Sequence, residues 1–397
     1  MKYGVYPYKL CQWRRLSKAN GVQWTVLVHF QAWRLKNTRA RRVMVNSQRM
    51  LKIHQATISQ VTHMFLKLFI LAGLQTLLFP FAWAQQAPAT TLPIKMVERV
   101  MQSVVAIQAR TDDDASTART LGQRRQGSGV VIAPDLVLTI GYLLIEAQSV
   151  DLIDRQGRRI PAQVKAVDTV SGFGLVRSLV PLRLEPVPLG DSDVVKAPAK
   201  VLTLGQGEGE LTELQVVSRK PFAGNWEYLL ESPLMTLPAV NNWSGAGLFD
   251  EDGQLIGLGS LLVPDVFGDS KPMPGNLYVP LNELKPQLVE LLRNGKRTGP
   301  AQSWLGISSQ AVRGGGLMVQ RVTPESPASQ AGIQAGDVLV ALQGRLIDNL
   351  PDFYRQLWTS GPAGSTLEIT VKRLGQERKI RITTGDRAQS LKAPRGV

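Results

Sequence analysis

The feature that most constrains the fold is a series of short apolar runs between Val97 and about Pro280. Each run spans two to four residues, and glycine, aspartate, asparagine or proline stands between successive runs. The runs are Val130–Ile132, Leu136–Leu138, Val150–Ile153, Val164–Val167, Leu175–Val176, Val201–Leu202 and Leu255–Ile256. Short runs at this spacing, with little helical periodicity, predict an all-β barrel or sandwich.

The segment that follows predicts one helix. Leucines at positions 281, 284, 288 and 291 recur at helical spacing. Asn282 is the expected N-cap, and Gly295 is the expected stop because glycine readily adopts the left-handed conformation that ends helices. Residues 297–302 form the expected linker to a second compact unit.

The second unit spans residues 303–386 and mixes strands with two short helices. The expected strands are Leu317–Val322, Val338–Leu342, Leu367–Val371 and Lys379–Ile382. The expected helices are Pro327–Ala331 and Pro351–Trp358, and Ser326 is a side-chain cap for the first of them. Residues 387–397 are expected to be a disordered tail.

Most of the net positive charge of the chain lies in its first 84 residues. The formal net charge is +15, from 46 Lys and Arg against 31 Asp and Glu. Residues 1–84 contain 13 of the basic residues and none of the acidic ones, which leaves 33 against 31 in the rest. A body with a net charge of only +2 has no electrostatic footprint for DNA or RNA. We therefore expect no nucleic-acid partner.

Residues 1–84 are interpreted as a basic leader that ends in a secretory signal peptide. Positions 64–84 (MFLKLFILAGLQTLLFPFAWA) combine a positive charge, an apolar core and small residues before the cleavage point. Cleavage is expected before Gln85, and residues 85–95 then form a linker. An uncleaved inner-membrane anchor is the less favoured alternative, because an apolar run of about 17 residues is short for a membrane span. The translation start is left open among Met1, Met50 and Met64.

All the histidines and the only cysteine lie in that leader. Cys11, His29, His54 and His63 precede the expected cleavage point. The processed chain is therefore expected to have no disulfide, no thiol chemistry and no metal site. We expect no cofactor.

The order of motifs between Val97 and Asp386 resembles the HtrA/DegP family, in which a trypsin-like protease domain precedes a PDZ domain. The segment GSGVVI at 127–132 is similar to that family's opening strand, and Asn242–Gly253 contains its nucleophile motif in altered form. The stretch from Ser326 to Gly344 contains the PDZ signature. The resemblance implies a mostly β fold, with a trypsin-like double β-barrel over residues 96–296 and a C-terminal PDZ domain over residues 303–386.

The resemblance also implies where the catalytic positions lie. Ser244 stands at the nucleophile position, and the amides of Asn242 and Ser244 stand at the oxyanion-hole positions. Tyr142 occupies the place of the family's histidine, and Gly172 occupies the place of its aspartate. Trp243 is expected either to fill the old cleft or to offer an aromatic contact to a partner.

These departures predict that proteolysis is lost. A serine hydroxyl needs a base to take its proton, and histidine suits that step because its pKa lies near neutrality. A tyrosine phenol, with an ordinary pKa of about 10, is a poor acceptor, and a glycine has no side chain to orient a base. Ser244 is therefore interpreted as a remnant of the nucleophile. An unrecognised base, such as a lysine, is the open alternative.

The C-terminal unit keeps the pattern of a peptide-binding domain. PDZ domains bind an extended chain end as an added strand, and loop amides receive its carboxylate. The resemblance assigns that loop to Trp304, Leu305, Gly306 and Ile307. The helix around 351–358 forms the other wall, where three residues belong either to the groove or to the core, namely Phe353, Tyr354 and Leu357. No basic residue directly precedes Trp304, which predicts weak carboxylate binding.

The leading interpretation is a periplasmic HtrA-like pseudoprotease. It would bind C-termini or unfolded segments of envelope proteins in an adaptor, chaperone-like or regulatory role. One alternative is an active serine endopeptidase of protein quality control that uses Ser244. Another is a structural partner in mixed oligomers with an active relative, since the resemblance implies trimers formed through the protease domain.

Overall fold

The structure is a computed structural model that describes residues 93–206, 211–268 and 271–394. All of these belong to one compact unit. The expected leader, its cleavage site and most of the linker at residues 85–95 lie outside the described residues. Within the described ranges, no helix has both the length and the apolar character needed to cross a membrane.

Six antiparallel strands close the first barrel. They are β1 (Val104–Thr111), β2 (Arg124–Ala133), β3 (Leu136–Ile140), β4 (Ala147–Ile153), β5 (Arg159–Val167) and β6 (Phe173–Ser178). Their order around the barrel is β1-β2-β3-β6-β5-β4. Helix α1 (Ile94–Ser103) precedes β1 and contacts β1 and β2, and the short helix α2 (Ala118–Leu121) lies between those two strands in the chain.

A second set of six strands closes the second barrel in the order β11-β14-β13-β12-β7-β8. The strands of this region are β7 (Ala199–Leu204), β8 (Thr212–Ser218), β9 (Phe222–Gly224), β10 (Tyr228–Leu230), β11 (Leu234–Leu237), β12 (Gly247–Phe249), β13 (Leu255–Val263) and β14 (Gly275–Pro280). Strands β9 and β10 pair only with each other within the described chain and form a separate hairpin, which we call the β9–β10 hairpin.

Burial explains why the apolar runs become strands. Every run identified in the sequence lies inside one of these strands. Strand β3 is buried at all five positions, as is β14 at all six, so neither shows the polar alternation of a half-exposed strand. The prediction of a mostly β fold with a double barrel is confirmed.

The predicted helix after the second barrel is broken into three short pieces. Two 3₁₀ turns, Leu281–Glu283 and Lys285–Gln287, precede helix α3 (Leu288–Asn294). Gly295 ends α3 with φ at 71°, as predicted. The prediction that Asn282 is the N-cap is wrong, because its side chain donates instead to the Asp191 carboxylate at 2.6 Å.

The C-terminal domain is a sheet with two flanking helices. Its elements are β15 (Ser303–Trp304), β16 (Ile307–Ala311), β17 (Leu317–Val322), α4 (Pro327–Gln330), β18 (Val338–Leu342), β19 (Arg345–Leu346), α5 (Leu350–Thr359), β20 (Thr366–Arg373), β21 (Gln376–Thr383) and β22 (Gly385–Asp386). The strand order is β16-β17-β18-β20-β21, with β19 on β18 and a separate β15–β22 pair.

Both helices of this domain begin at side-chain caps. The Ser326 hydroxyl accepts from the Ser329 amide at 3.3 Å, as the sequence predicted, and proline follows at the first helical position. The Asn349 side chain accepts from the Asp352 amide at 2.9 Å at the start of α5. Such caps satisfy amides that have no partner within the helix.

The expectation of a disordered tail from Arg387 is wrong for residues 387–394. Arg387–Ser390 forms a 3₁₀ turn capped by Asp386. The backbone N–H of Lys392 donates to the Glu146 carboxylate at 3.1 Å, and the Lys392 ammonium pairs with Asp114. These contacts with the first barrel fix the tail. The composition of the tail alone could not reveal them, because the partner residues lie far away in the sequence. Residues 395–397 lie outside the described chain.

Candidate functional site

Ser244 lies in a turn within the segment that connects β11 to β12. Its carbonyl accepts from the Ser128 amide at 2.8 Å, and its side chain is half-buried. Gly245 has φ at 73°, and a Cβ there would lie 2.1 Å from the Ser128 carbonyl oxygen. Glycine is therefore required directly after the serine, and the chain retains it.

Tyr142 approaches Ser244 from the 3₁₀ turn Gly141–Leu143, which follows β3. Its hydroxyl donates to Ser244 Oγ at 2.8 Å and lies 3.2 Å from the Ser260 carbonyl oxygen. A phenol has one proton, which these two acceptors share. In both arrangements the partner of Ser244 is a neutral phenol, which is a poor acceptor for the proton that a catalytic serine hydroxyl must give up.

Burial determines the protonation state of that phenol. It raises the pKa of Tyr142 well above its ordinary value, and the hydrogen bond with Ser244 lowers the pKa only in part. The hydroxyl therefore keeps its proton at neutral pH. Tyr142 therefore contacts Ser244 in its protonated form.

The space beside Gly172 is filled by a residue that the sequence analysis missed. Gly172 has φ at 84°, and a Cβ there would lie 2.7 Å from the hydroxyl of Tyr228 in β10. That hydroxyl donates to the Ser171 carbonyl at 2.8 Å. A carboxylate at position 172 would therefore collide with Tyr228 unless the tyrosine moved.

The acid closest in sequence to Gly172 is already paired. Asp168 is buried, and its carboxylate accepts from the Arg297 guanidinium at 2.6 Å and from the Ser171 hydroxyl at 2.5 Å. Arg297 belongs to the segment predicted as the linker, so this pair anchors the linker to the first barrel. A carboxylate engaged in this way is not free to orient a catalytic base.

Asn242 and Trp243 precede the serine at the surface of the second barrel. Asn242 is exposed and Trp243 is half-buried. The φ of Asn242 is not left-handed, and the left-handed residue of this turn is Gly245. The Trp243 carbonyl accepts from the Ala246 amide at 3.1 Å and lies so close to Gly259 that a Cβ on that glycine would be 1.9 Å away. Donation by the Asn242 and Ser244 amides to an oxyanion stays a prediction.

In the C-terminal domain, three backbone amides converge on one anion. The N–H groups of Leu305, Gly306 and Ile307 donate to the carboxylate of Glu227 at 2.8, 2.7 and 2.9 Å. Gly306 has φ at 85°, which lets the loop curl so that its amides point inward. The loop predicted from Trp304 to Ile307 thus holds a carboxylate, and that carboxylate belongs to the protein itself.

Helix α5 forms the other wall of this groove. Phe353, Tyr354 and Leu357 are fully buried in the core of the C-terminal domain. Tyr354 also reaches the β9–β10 hairpin, because its hydroxyl accepts from the Glu227 amide at 3.0 Å and donates to the Gly224 carbonyl at 2.7 Å. The sequence left core and groove as alternatives for these residues. Tyr354 belongs to the core and also contacts the hairpin in the groove.

Comparison with known proteins agrees with this arrangement. A model of the trypsin-like peptidase domain matches residues 127–258, and a model of the PDZ domain matches residues 303–384. Together the two matches cover more than half of the chain. The periplasmic serine endoprotease DegP of Salmonella typhimurium is 28% identical over 274 residues. In both domains the chain is similar to proteins of the HtrA/DegP family.

The HtrA/DegP relatives differ from this chain in extent. The Salmonella match covers 66% of this chain and 58% of the relative, so the chain spans little more than half of that protein. The periplasmic pH-dependent serine endoprotease DegQ of Escherichia coli is 24% identical over 331 residues, with 76% and 71% covered. A solved structure of the HtrA-type protease AlgW with a decapeptide is 20% identical, covers 75% of this chain and 98% of its own, and has a TM-score of 0.46.

The PDZ domain has a cation beside its carboxylate loop, although no basic residue directly precedes Trp304. Arg387, in the 3₁₀ turn after β22, lies at the same end of the groove, where it donates to the Trp226 carbonyl at 3.5 Å. Burial raises the pKa of the Glu227 carboxyl, and the three loop amides and the charge of Arg387 act in the opposite direction. Arg387 was missed because it follows the loop by some 80 residues and lies in the segment predicted to be a tail.

Proposed function

We propose that this protein is a periplasmic HtrA-like pseudoprotease that binds C-termini or unfolded segments of envelope proteins. Its role would be that of an adaptor, a chaperone-like factor or a regulator. The observation that supports the loss of proteolysis most directly is the hydrogen bond from the protonated Tyr142 hydroxyl to Ser244 Oγ at 2.8 Å. A neutral phenol in this position is a poor base for the proton of Ser244.

The size of the effect supports an inactive site. Removing the triad of a serine protease lowers turnover by about 10⁶, which corresponds to about 8 kcal/mol of barrier. Here both the base and its orienting carboxylate are replaced, and Tyr228 fills the space that the carboxylate would need. The relatives named above are called endoproteases, so the proposal depends on the residues at positions 142 and 172.

The peptide-binding role is supported by the PDZ groove. Three converging amides and the nearby Arg387 form a site for a carboxylate. The periplasmic location is supported by the secretory signal in the sequence and by the periplasmic relatives.

A fluorophosphonate probe tests the catalytic part of the proposal. We expect no covalent labelling of the purified protein, and casein hydrolysis at the same background rate as in Ser244→Ala. Labelling of the unaltered protein that is abolished by Ser244→Ala would contradict the proposal and favour an active endopeptidase with another base. Native mass measurement of the same sample tests the family-implied homotrimer and, with an active relative added, the mixed oligomer.

A further inference from the structure

The carboxylate loop of the PDZ domain is filled by the tip of the β9–β10 hairpin. Both oxygens of Glu227 accept from loop amides, one from Leu305 and the other from Gly306 and Ile307. The side chain is buried, with only 7% of the residue exposed. The loop amides therefore have no free capacity for a second carboxylate while Glu227 is in place.

The hairpin also occupies the strand position of a bound peptide. Strand β16 pairs with β17 on one side, and its other edge faces the groove. On that edge the Ser309 amide donates to the carbonyl of Asn225 at 3.3 Å. A PDZ ligand presents a backbone carbonyl to this edge and a carboxylate to the loop. Asn225 and Glu227 supply both groups from within the chain.

The backbone of Glu227 is in a conformation that glutamate disfavours. The loop between β9 and β10 has three residues, and Glu227, the third, has φ at 60°. Three-residue hairpin loops place a left-handed residue at this position, where glycine is the usual choice because it has no Cβ. Any side chain makes this left-handed backbone conformation less favourable. The contacts of the carboxylate explain why the position holds glutamate.

Packing and charge hold the hairpin in the groove. Ala223 and Leu229 pack against the core of the PDZ domain. Beyond the loop, the Glu231 carboxylate accepts two hydrogen bonds from Arg355 of α5, at 2.8 and 2.6 Å. Both arms of the hairpin thus contact the domain that its tip enters.

From these contacts we propose that Glu227 is an internal ligand of the PDZ domain, and that a peptide C-terminus must displace it to bind. The inference rests on the proposed function, because it concerns the same carboxylate site. The apparent affinity for a peptide is reduced by the fraction of molecules whose groove is open. If the groove is open in one tenth of the molecules, the apparent affinity for the peptide is about tenfold lower than that of a protein whose groove is always open.

Fluorescence anisotropy with a labelled peptide ending in a free C-terminal valine measures this competition, and its amidated twin shows dependence on the carboxylate. The main variant is Glu227→Gly, which removes the carboxylate and suits the left-handed backbone. Glu227→Gln keeps the side-chain volume and removes the charge. Glu325→Gly is the matched control, because Glu325 is exposed and has φ at 58°.

We expect Glu227→Gly to bind the free-carboxylate peptide about tenfold more tightly than the unaltered protein or more, with Glu227→Gln between them and Glu325→Gly unchanged. Equal affinity in the unaltered protein and Glu227→Gly would overturn the internal ligand while leaving peptide binding intact. No binding by any variant would overturn the proposed function instead.

Amide hydrogen exchange reports on the occupant without any peptide. The amides of Leu305, Gly306 and Ile307 should be protected in the unaltered protein and in Glu325→Gly, and should exchange about tenfold faster in Glu227→Gly. An unchanged exchange rate at these three amides would show that Glu227 does not hold them, and the inference would fail.

Discussion

At the residue scale, we expect that placing a histidine at position 142 does not by itself create a working protease. In Tyr142→His the imidazole would face Ser244 without a carboxylate to orient it, because Tyr228 fills the space beside Gly172. Loss of the orienting aspartate alone lowers serine protease turnover by about 10⁴. We expect cleavage of a fluorogenic peptide by Tyr142→His to stay at least about 10⁴-fold below an active relative.

The control for that experiment is Tyr142→Phe, which keeps the ring and removes only the hydroxyl. It should fold and should also remain inactive. A Tyr142→His protein within about tenfold of an active relative would show that another group orients the imidazole, and the assignment of Gly172 as the empty carboxylate position would be wrong.

The glycine after the serine tests the turn itself. In Gly245→Ala the new methyl group would lie 2.1 Å from the Ser128 carbonyl oxygen, and φ is 73°. We expect a loss of about 3 kcal/mol in the free energy of unfolding, from strain and collision combined. Gly157→Ala is matched, since its φ is 80° and nothing lies within 4 Å. The free energy of unfolding of Gly157→Ala, measured with urea, should fall by only about 1–2 kcal/mol.

The sequence predicted some of the site residues and not others, for a physical reason. Ser244, Tyr142 and Gly172 stand in recognisable motifs, so their positions followed from local patterns. Tyr228 and Glu227 belong to no motif, and their roles arise only when the chain folds back on residues 57 and 78 positions away. Side chains that act across such separations leave no periodic or compositional signal.

At the scale of elements, a buried ion pair links two parts of the PDZ sheet domain. The Asp337 carboxylate, 1% exposed, accepts from Arg373 of β20 at 2.6 and 2.7 Å. Burial alone would raise the pKa of Asp337, but hydrogen bonds from Arg373 and from the Gln334 amide outweigh it, and the pKa is lowered. Because the folded-state pKa is the lower one, the pair stabilises the fold above the unfolded pKa of about 3.9.

We expect that stabilisation to be lost as the pH falls below about 4 and through the lowered pKa of Asp337. Asp337→Asn should lose about 2–4 kcal/mol of unfolding free energy at pH 7 and should show a weaker acid dependence. Urea unfolding at a series of pH values measures both effects. Glu368→Gln, which removes an exposed pair with Lys379 in the same sheet, should change stability by less than about 0.5 kcal/mol.

Elements were predictable where one periodicity dominated. Seven of the twelve barrel strands and the Ser326 cap of α4 followed from apolar runs and a capping residue. The helix expected from Leu281 to Leu291 failed because Pro286 lies in its path and the chain forms 3₁₀ turns there instead. The β9–β10 hairpin escaped notice because its strands have three residues each and its left-handed position holds glutamate instead of glycine.

At the scale of the whole molecule, the PDZ domain and the segments beside it are tied to the barrels by contacts between distant residues. Arg297 pairs with Asp168 across 129 positions, Arg355 with Glu231 across 124, and the Lys392 amide with Glu146 across 246. None of these pairs could be found in the sequence, because each partner alone is an ordinary charged residue.

These contacts predict that peptide binding changes the dynamics of segments outside the PDZ domain. A saturating C-terminal peptide should increase amide hydrogen exchange in β10, whose Tyr228 follows Glu227 directly, and should leave β1 unchanged as an internal reference. Exchange mass spectrometry of the full protein with and without peptide measures this. Unchanged exchange in β10 with the peptide bound would mean that Glu227 leaves the loop without moving its own strand.

Glu227 and Tyr228 are neighbours in the chain, yet the PDZ domain holds the first side chain and the first barrel holds the second. Thermodynamic linkage makes any coupling between them reciprocal. If binding of a peptide C-terminus displaces Tyr228 from its place beside Gly172, then a small molecule that binds in that place must raise the affinity for the peptide. The peptide would raise the affinity for the small molecule by the same factor. The space beside Gly172 would then act as an allosteric site for the PDZ groove.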